Sequence, residues 1–390
     1  MVSEWRTVKV GDLGRIVTGK TPKTANKENY GGLIPFLTPS DDMESKFVRM
    51  TNKTLTEKGK QEVRNTLLPE NSVCVSCIGA DLGKVVITTE PTITNQQINS
   101  IIVDSSLYDV SFVYYAMLIL GKHLNRISKG STTVPIVNKS LFSSFDIRCP
   151  NLSIQKKISR ILSDLDEKIE LNNKINNNLE QQAKALYKDW FFDFSPFSTE
   201  GNLPNGWRLG TVGDIIQLHD SKRVPLSGSE RDKMEKIYPY YGATYLMDYV
   251  DNYLFDGIYL LLGEDGTVVD SLGFPILQYV YGQFWVNNHA HIITGKEGFS
   301  VEELYLFFSL TNIKSIVTGA VQQKVSQQNL KKVPAIIPSK EALSAFDNLI
   351  QPIFAQIRNL RDENAHLADL RDTLLPRLMS GELDVSDTEI

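Results

Sequence analysis

The chain has 390 residues, of which 42% are hydrophobic and 22% charged, and its net charge is −5. These values fit a protein of two or more domains with separate cores, and they exclude a chain dominated by disorder. Three cysteines exclude a disulfide framework, and the sequence has no apolar run of about 18 residues that would span a membrane. Residues 1–9 lack the pattern of a signal peptide, so we expect a cytoplasmic protein.

The charge is unevenly distributed along the chain. Residues 1–150 carry 18 Lys and Arg against 14 Asp and Glu, a net of +4, and residues 151–199 are neutral at 7 against 7. Residues 200–338 have a net of −4 and residues 339–390 a net of −5. A negative net charge is unusual for a protein that binds nucleic-acid phosphates without a partner. If the ligand is nucleic acid, we expect this chain to read sequence while a partner supplies much of the phosphate contact.

Two sequence blocks occur twice at nearly fixed spacing. Trp-Arg at 5–6 and Gly-Asp-Leu at 11–13 recur as Trp-Arg at 207–208 and Gly-Asp-Ile at 213–215. Later in each copy, a glycine and a leucine precede a proline that leads into a helical pattern; these are Gly130, Leu141 and Pro150, and then Gly319, Leu330 and Pro338. The order module, helix, module, helix predicts a duplicated fold that suits a bipartite, near-twofold target.

The repeat divides the chain into four predicted segments, which are module 1 (1–150), a helix (151–199), module 2 (200–338) and a second helix (339–390). Strand-like runs alternate with turn-rich stretches in both modules, which predicts mixed α/β domains. These runs are residues 73–78, 84–88, 99–103, 258–262 and 291–294.

Residues 14–21 of module 1 fit the phosphate-loop pattern G-x-x-x-x-G-K-[ST]. Such a loop needs a buried strand before it and a helix after it, whereas Pro22 and a loop-like stretch follow here. We therefore interpret this part of module 1 as a basic loop that reaches nucleic acid, with a plain solvated loop as the alternative. The residues assigned to the contact are Lys20, Thr21, Lys23 and Lys27.

Two short patterns contain metal-ligand residue types. Cys74 and Cys77 form one C-x-x-C pair inside a strand-like run without a second ligand pair, which favours a buried strand over a zinc or redox site. His289 and His291 would share a face of a strand, but the local sequence offers no carboxylate or third ligand. We therefore expect no metal site.

A third correspondence joins the two modules. A turn at 79–83, followed by Asn95-Gln96-Gln97 ahead of an apolar strand, resembles the turn at 263–266, followed by Asn287-Asn288-His289. An amide side chain can read adenine with two hydrogen bonds, worth about 1–3 kcal/mol of discrimination. We predict that these six residues contact DNA bases; the alternative is that they bracket a turn.

Further candidate contacts lie in both modules. Lys222 and Arg223 are followed by Tyr240 and Tyr241; Arg can read guanine and Tyr can contact phosphate or a thymine methyl group, while the alternative places the tyrosines in the core. Polar residues also follow the matched glycines, where we expect variable side chains on a common frame. They are Ser131, Thr132 and Thr133 in module 1, and Gln322, Gln323 and Lys324 in module 2.

Both predicted helices carry a seven-residue apolar repeat. A helix over about 38 residues is about 57 Å long, which is typical of a spacer or coiled-coil arm rather than of a core helix. The predicted seam, which packs helix on helix or docks a partner, comprises Ile158, Leu165, Asn172, Leu179 and Leu186, and then Ile353, Leu360, Asn364, Leu367 and Leu374.

Each seam contains one asparagine. If the helices run antiparallel with Asn172 level with Asn364, Ile158 falls beside Leu378. A buried amide pair would fix this alignment at some cost in stability. The alternative is two solvated asparagines.

Several longer motifs resemble the DNA-specificity subunit of type I restriction-modification systems. Besides the Trp-Arg and Gly-Asp openings, they are Leu-Tyr-Lys-Asp-Trp-Phe-Phe-Asp-Phe at 186–194, Leu-Pro-Asn-Gly-Trp at 203–207, and Leu-Leu-Pro-Arg-Leu-Met-Ser-Gly-Glu-Leu-Asp-Val at 374–385. The resemblance covers essentially the whole chain, and it depends on the order and spacing of the motifs together.

The resemblance implies two α/β target-recognition domains, each reading one half of an interrupted DNA site, separated by two long antiparallel coiled-coil helices in a pseudo-twofold repeat. It implies that the helices dock two methyltransferase subunits, that restriction-translocase subunits join the full complex, and that this chain is not itself catalytic. S-adenosylmethionine, ATP and Mg²⁺ are then expected on the partner subunits, with no cofactor on this chain. The alternatives are a P-loop nucleotide-binding enzyme and a coiled-coil protein–protein adaptor.

Overall fold

The computed structural model describes residues 5–79, 81–129, 136–197, 202–319 and 322–388. The predicted contacts Ser131, Thr132 and Thr133 lie outside these ranges. The chain forms two compact units, of which unit 1 comprises 1–171 with 363–390 and unit 2 comprises 172–362. Each unit contains one module and a part of each long helix. The four-segment division of the chain stays a prediction.

From the N-terminus the chain forms β1 (Arg6–Lys9), β2 (Gly14–Thr18), β3 (Tyr30–Leu37), β4 (Phe47–Val48), β5 (Thr54–Leu55), α1 (Glu57–Glu62), β6 (Ser72–Ser76), β7 (Val85–Thr88), β8 (Ile93–Thr94), β9 (Ile98–Val103), α2 (Val110–Lys129), α3 (Lys139–Ser144), β10 (Asp146–Cys149) and α4 (Leu152–Phe191). The central sheet of module 1 has the order β2-β9-β6-β7-β4. All five residues of β6 are buried, because sheet neighbours flank this strand on both sides and α2 packs on the sheet. A ribbon of β1 and β10 places Arg6 opposite Cys149 and so joins the two ends of the module.

The chain continues as β11 (Arg208–Thr211), α5 (Val212–Ile215), β12 (Ile216–Leu218), α6 (Gly228–Arg231), β13 (Tyr238–Tyr241), β14 (Leu246–Val250), β15 (Phe255–Asp256), β16 (Tyr259–Gly263), β17 (Leu277–Val280), β18 (Gln283–Val286), β19 (Ala290–Gly295), α7 (Val301–Leu310), α8 (Gln327–Lys331), β20 (Pro334–Ile337) and α9 (Lys340–Ser380). The sheet order β12-β19-β16-β17 repeats β2-β9-β6-β7, and the ribbon of β11 and β20 places Arg208 opposite Ile337. The duplication read from the sequence is therefore a duplication of topology.

The modules differ in a second, smaller sheet. In module 1 this sheet has the order β5-β3-β8, and in module 2 it has the order β14-β13-β18-β15. The strands predicted from the sequence are all observed, with bounds that differ by one or two residues. Cys74 lies on β6, and Cys74 and Cys77 are both buried free thiols, which agrees with the buried-strand interpretation. Burial raises the pKa of the Cys74 thiol to about 12.

The two long helices run antiparallel, because opposite ends of them pack together in each unit. In unit 1, Ile158 of α4 shares a buried core with Leu375 and Leu378 of α9. In unit 2, Phe191 of α4 packs edge-on against Phe346 of α9, with ring centroids 4.8 Å apart. None of the described helices is long and apolar enough to cross a membrane.

Half of the predicted seam packs into the cores of the units, with Ile158 and Leu374 in unit 1 and Leu179, Leu186 and Ile353 in unit 2. Ile158, Asn172 and Leu360 are buried, and the other members are half-buried, namely Leu165, Leu179, Leu186, Ile353, Asn364, Leu367 and Leu374. An ion pair of 2.9 Å between Asp166 and Arg371 also crosses from α4 to α9 in unit 1. Asn172 and Asn364 belong to different units, so their pairing stays a prediction.

A buried carboxyl on α7 makes the stability of unit 2 depend on pH. Glu303 is fully buried, and its Oε2 accepts a hydrogen bond of 2.8 Å from the Ser300 N–H. Burial is the main cause that raises the pKa of Glu303 to about 8, and the charges of Asp347 and Glu302 act in the same direction. The folded state therefore holds a proton that the unfolded chain releases near the usual value of 4.5.

We expect Glu303→Gln to remove this pH dependence. The stability that the bound proton contributes is complete below about pH 4.5 and is lost as the pH rises towards 8. The free energy of unfolding of the variant should therefore exceed that of wild type by about 2–4 kcal/mol at pH 8 and by little at pH 4.5. The measurement is urea unfolding at pH 4.5–9. Glu235→Gln, at an exposed position ahead of β13, is the control and should follow the wild-type profile. Parallel profiles for wild type and Glu303→Gln would contradict the assignment.

Candidate nucleic-acid interface

The predicted amide residues form the same turn in both units. The Gln97 N–H donates to Asn95 Oδ1 at 3.0 Å, and the His289 N–H donates to Asn287 Oδ1 at 2.8 Å. Asn95 and Asn287 are thereby buried at 8% and 5% exposure, which favours the alternative that they bracket a turn. The middle residue of each turn is exposed.

The exposed middle residues are Gln96 in module 1 and Asn288 in module 2. Each turn is joined to a neighbouring loop by a backbone bond of 2.8 Å, from the Cys77 N–H to the Gln97 oxygen and from the Glu264 N–H to the His289 oxygen. These matching bonds align Gln97 with His289, as the sequence comparison proposed.

A third loop joins each turn in the same way. The Val137 N–H donates to the Cys77 oxygen at 2.9 Å, and the Val325 N–H donates to the Glu264 oxygen at 2.8 Å. Each of these valines precedes the N-cap of a short helix: Asn138 caps α3, and Ser326 caps α8. The loop tips of both modules therefore share one hydrogen-bonded frame.

The basic loop of module 1 lies beside this frame. The Lys20 N–H donates to the Thr94 oxygen at 2.9 Å, and Thr21 Oγ1 donates to Gln96 Oε1 at 2.7 Å. The structure thus brings Lys20, Thr21 and Gln96 together. Lys20, Lys23 and Lys27 are exposed, and within the described ranges none of them forms an ion pair.

The phosphate-loop alternative does not fit this backbone. Residues 14–18 form the strand β2 and no helix begins directly after them. The N–H groups of Gly19 and Lys20, which would face a phosphate, already donate to the carbonyl oxygens of Ile98 and Thr94. A nucleotide phosphate would find these donors occupied.

The cations of module 2 differ in their availability. Arg223 is 14% exposed, and its Nη1 donates to Glu264 Oε2 at 2.7 Å and to the Ala290 oxygen at 2.8 Å. This placement favours a supporting role for Arg223 rather than the predicted contact with guanine. Lys222 is exposed, and Lys324 is half exposed with its Nζ 3.4 Å from Glu264 Oε1.

The two tyrosines of β13 divide between core and surface. Tyr240 is 1% exposed, its hydroxyl accepts a hydrogen bond of 3.0 Å from the Leu226 N–H, and Arg231 lies over its ring. This favours the core alternative for Tyr240. Tyr241 is half-buried and packs edge-on against Phe284.

The remaining candidates of module 2 lie at the loop tips. Gln322 is exposed, and the oxygen of the half-buried Gln323 accepts a hydrogen bond of 3.0 Å from the Gly266 N–H. His289 is half exposed, with its Nδ1 2.6 Å from Asp265 Oδ1. The segment 264–266 contacts both the 287–289 turn and Gln323. The candidate residues of these segments therefore lie close together, although they are far apart in the sequence.

A buried carboxylate near His291 was missed by sequence reasoning. Asp220, 71 positions earlier in the chain, lies 2.6 Å from His291 Nδ1, and Glu264 Oε2 lies 3.8 Å from the same atom. Burial alone would raise the pKa of Asp220, but the hydrogen bonds from His291 and the Ile292 N–H hold it below its ordinary value. No local pattern marks this contact, since it depends on the pairing of β12 with β19.

Asp220, Glu264 and His291 are also ligand types for a metal ion, with donor atoms within 4.8 Å of one another. Arg223 already binds this cluster, through the 2.7 Å contact with Glu264 and a 3.7 Å contact with Asp220. The other ring nitrogen of His291 lies 2.8 Å from the Val325 oxygen. A metal ion would have to displace the guanidinium, so the arrangement fits a charged hydrogen-bond network better than a metal centre.

Comparison with known proteins gives consistent results. The family model described as "Type I restriction modification DNA specificity domain" matches residues 2–181 and again 204–364. The MjaIX specificity subunit of a type I restriction enzyme from Methanocaldococcus jannaschii is 28% identical, over 98% of this chain and 94% of the relative. The HindI specificity subunit from Haemophilus influenzae is 37% identical over 47% of this chain and 39% of the relative.

A solved structure has the same fold. The S subunit of a type I restriction-modification system from M. genitalium matches with a TM-score of 0.58 and 17% sequence identity, over 96% of each chain. At this level of identity the likeness shows the fold alone.

The turn in module 2 offers a test of which side chains support the frame. We expect Asn287→Ala to lower the free energy of unfolding by about 1–3 kcal/mol, because the His289 N–H loses its buried acceptor. Asn288→Ala, at the next position, should change it by less than about 0.5 kcal/mol, because the Asn288 side chain is exposed. Urea unfolding of both variants is the measurement. Equal losses would contradict the assignment of Asn287 to the frame.

Proposed function

Because this chain belongs to the family of type I restriction-modification DNA specificity subunits, we propose that each module reads one half of an interrupted DNA site. We further propose that α4 and α9 dock two methyltransferase subunits, which restriction-translocase subunits join in the full complex. Methylation, cleavage and the binding of S-adenosylmethionine, ATP and Mg²⁺ would then belong to those partners. The chain itself would recognise double-stranded DNA and hold the complex together.

One observation carries the proposal for two half-sites. Both modules have the same frame of backbone hydrogen bonds, but they expose different side chains on it, with Gln96 on one turn and Asn288 on the other. The second sheets beside the frames also differ in strand order. A common frame with different exposed donors and acceptors is what two unlike half-sites require, because direct readout depends on side chains at base edges.

The chemistry of the exposed residues suits direct readout. The amides of Gln96 and Asn288 can pair with adenine through two hydrogen bonds. Lys20, which precedes the Thr21 that bonds to Gln96, and the exposed Lys23 and Lys27 farther along the same loop can contact phosphate, which positions a module without specifying bases. Among the predicted cationic contacts of module 2, Arg223 and Lys324 are paired with Glu264, so we expect its phosphate contacts to depend more on the partners.

We infer the docking surface from apolar side chains that the long helices leave exposed. In unit 1, α4 exposes Leu171 at 51% and α9 exposes Leu370 at 47%; in unit 2, α4 exposes Ile175 at 37% and α9 exposes Leu349 at 47%. We infer that these exposed leucines and the isoleucine are better candidates for a protein contact than the seam residues, since half of the seam already packs into the cores of the units.

The experiment for DNA reading is methylation mapping. The chain would be expressed with its methyltransferase subunit in a host that lacks other modification, and methylated adenines would be mapped in the genome. We expect one interrupted sequence with two specified halves. We expect Gln96→Ala to relax discrimination in one half and Asn288→Ala in the other, by about 1–3 kcal/mol per lost base contact. A continuous site, or both halves relaxing together in each variant, would contradict the proposal.

The experiment for docking uses an exposed pair on α9. We expect Leu370→Asp to weaken binding of the methyltransferase subunit by about tenfold or more, because a charge would be buried in the contact. Ala365→Asp places the same charge at an exposed position about 140° away around the helix, on another face, and serves as the control. Binding would be measured by titration of the purified subunits, with thermal unfolding as a check on the fold. Equal affinities of the two variants would show that Leu370 lies outside the contact.

A further inference from the structure

A buried polar side chain on the second strand of each module's larger sheet, β9 or β19, reaches the third loop of the frame. In unit 2, His291 on β19 lies with its Nε2 2.8 Å from the Val325 oxygen. In unit 1, Asn99 on β9 donates through its Nδ2 to the Val137 oxygen at 3.0 Å. His291 and Asn99 are 0% and 2% exposed. A carbonyl oxygen can only accept, so Nε2 of His291 carries its hydrogen and donates.

The opposite end of each side chain is held from the neighbouring strand segment. Nδ1 of His291 lies 2.6 Å from Asp220 Oδ2, and Oδ1 of Asn99 accepts from Thr18 Oγ1 at 2.6 Å. Thr18 ends β2, and Asp220 follows β12, which occupies the same place in its sheet. We call each set of three hydrogen-bonded residues a buried tie.

The two buried ties are Thr18–Asn99–Val137 in unit 1 and Asp220–His291–Val325 in unit 2. They take the same path through the fold with different side chains. Two different sets of residues that make the same connection indicate that the connection itself is required at this place. Apolar residues would fill the same space without leaving a buried donor to be satisfied.

The tie in unit 2 holds a loop that carries predicted DNA contacts. Val325 follows Gln322, Gln323 and Lys324, and the Thr318 and Lys324 backbones bond to each other at 2.8 and 2.9 Å, which closes the loop. The Val325 N–H is held by the Glu264 oxygen and its carbonyl by His291. Both peptide groups at the base of the loop are therefore fixed in direction.

Fixing the base of this loop bears on specificity, because base readout requires side chains placed to within about 0.5 Å. We propose that His291 is a positioning residue for the half-site read by module 2, and that Asn99 is its counterpart for the half-site read by module 1. This inference rests on the proposed function. Neither side chain touches DNA; each acts through the loop whose carbonyl it binds.

Three substitutions separate the two hydrogen bonds of His291. Gln places an amide donor at the distance of Nε2 and so keeps the bond to Val325. Asn places one at the distance of Nδ1 and so keeps a partner for Asp220 alone. Leu removes both bonds.

The test uses the full chain in complex with its methyltransferase subunits. The probes are duplexes that carry the site found by methylation mapping, with each half randomised in turn, and the readout is the methylation rate on matched against mismatched duplexes. We expect His291→Leu and His291→Asn to lose about tenfold or more of the discrimination in the half-site of module 2, with the other half unchanged. We expect His291→Gln to stay within about threefold of wild type, and Asn99→Leu to affect the opposite half-site.

The unaffected half-site is an internal control for folding and assembly. If His291→Asn and His291→Leu lose discrimination in both half-sites to the same extent, His291 has a merely structural role and the inference is overturned. Unchanged discrimination in these variants would overturn it as well, and so would equal behaviour of His291→Gln and His291→Asn. If the wild-type complex methylates no interrupted site, the proposed function itself fails, and that outcome is distinct from the others.

Discussion

The packing of α4 against α9 inside each unit is the interaction on which the rest of the structure depends. In unit 2, Phe191 of α4 lies between Phe346 of α9 and Trp207, which opens module 2, with ring centroids 4.8 and 5.6 Å apart. In unit 1, Ile158 of α4 and Leu378 of α9 belong to the same buried core as the sheet of module 1. Neither module completes its core without residues from both helices. Each module and the helix segments beside it therefore form one structural body.

A second constraint separates the fold of the loop tips from their chemistry. The bonds that join the three loops of each frame run between backbone N–H and carbonyl groups, so they do not specify which side chains the loops carry. Cys77 of module 1 therefore corresponds to Glu264 of module 2, and Gln97 corresponds to His289, without any change in the connections. Asn95 and Asn287 are the exception, because their side chains cap the turn, and there both modules have the same residue. The residue type can thus differ where only backbone groups make the bonds, and it is restricted where a side chain makes them.

The sequence predicts the parts of this architecture that depend on local pattern. The duplication, the long helices and the buried strands follow from spacing and periodicity, because these features are set by residues near one another in the chain. The roles of single polar residues do not follow. Arg223 is held by Glu264, 41 positions away, and His291 by Asp220, 71 positions away, so neither partner is visible in the sequence around it. For Tyr240 the sequence left a core and a surface position open; the residue is buried, with its hydroxyl bonded to the Leu226 N–H and Arg231 over its ring.

The same long-range pairing changes the meaning of the net charge. Module 2 carries a formal charge of −4, but several of its carboxyls do not face solvent. Asp220 and Glu264 are bound by Arg223, and Glu302 is bound by Arg358 of α9 at 3.0 Å. Glu303, whose pKa is about 8, is mostly protonated at neutral pH and adds little negative charge. The field that a phosphate meets depends on exposed, unpaired groups near it, since buried and paired charges largely cancel at a distance. An acidic net charge is therefore compatible with a DNA-reading surface in module 2, because some of its carboxyls are buried or paired, as Asp220 and Glu264 are with Arg223.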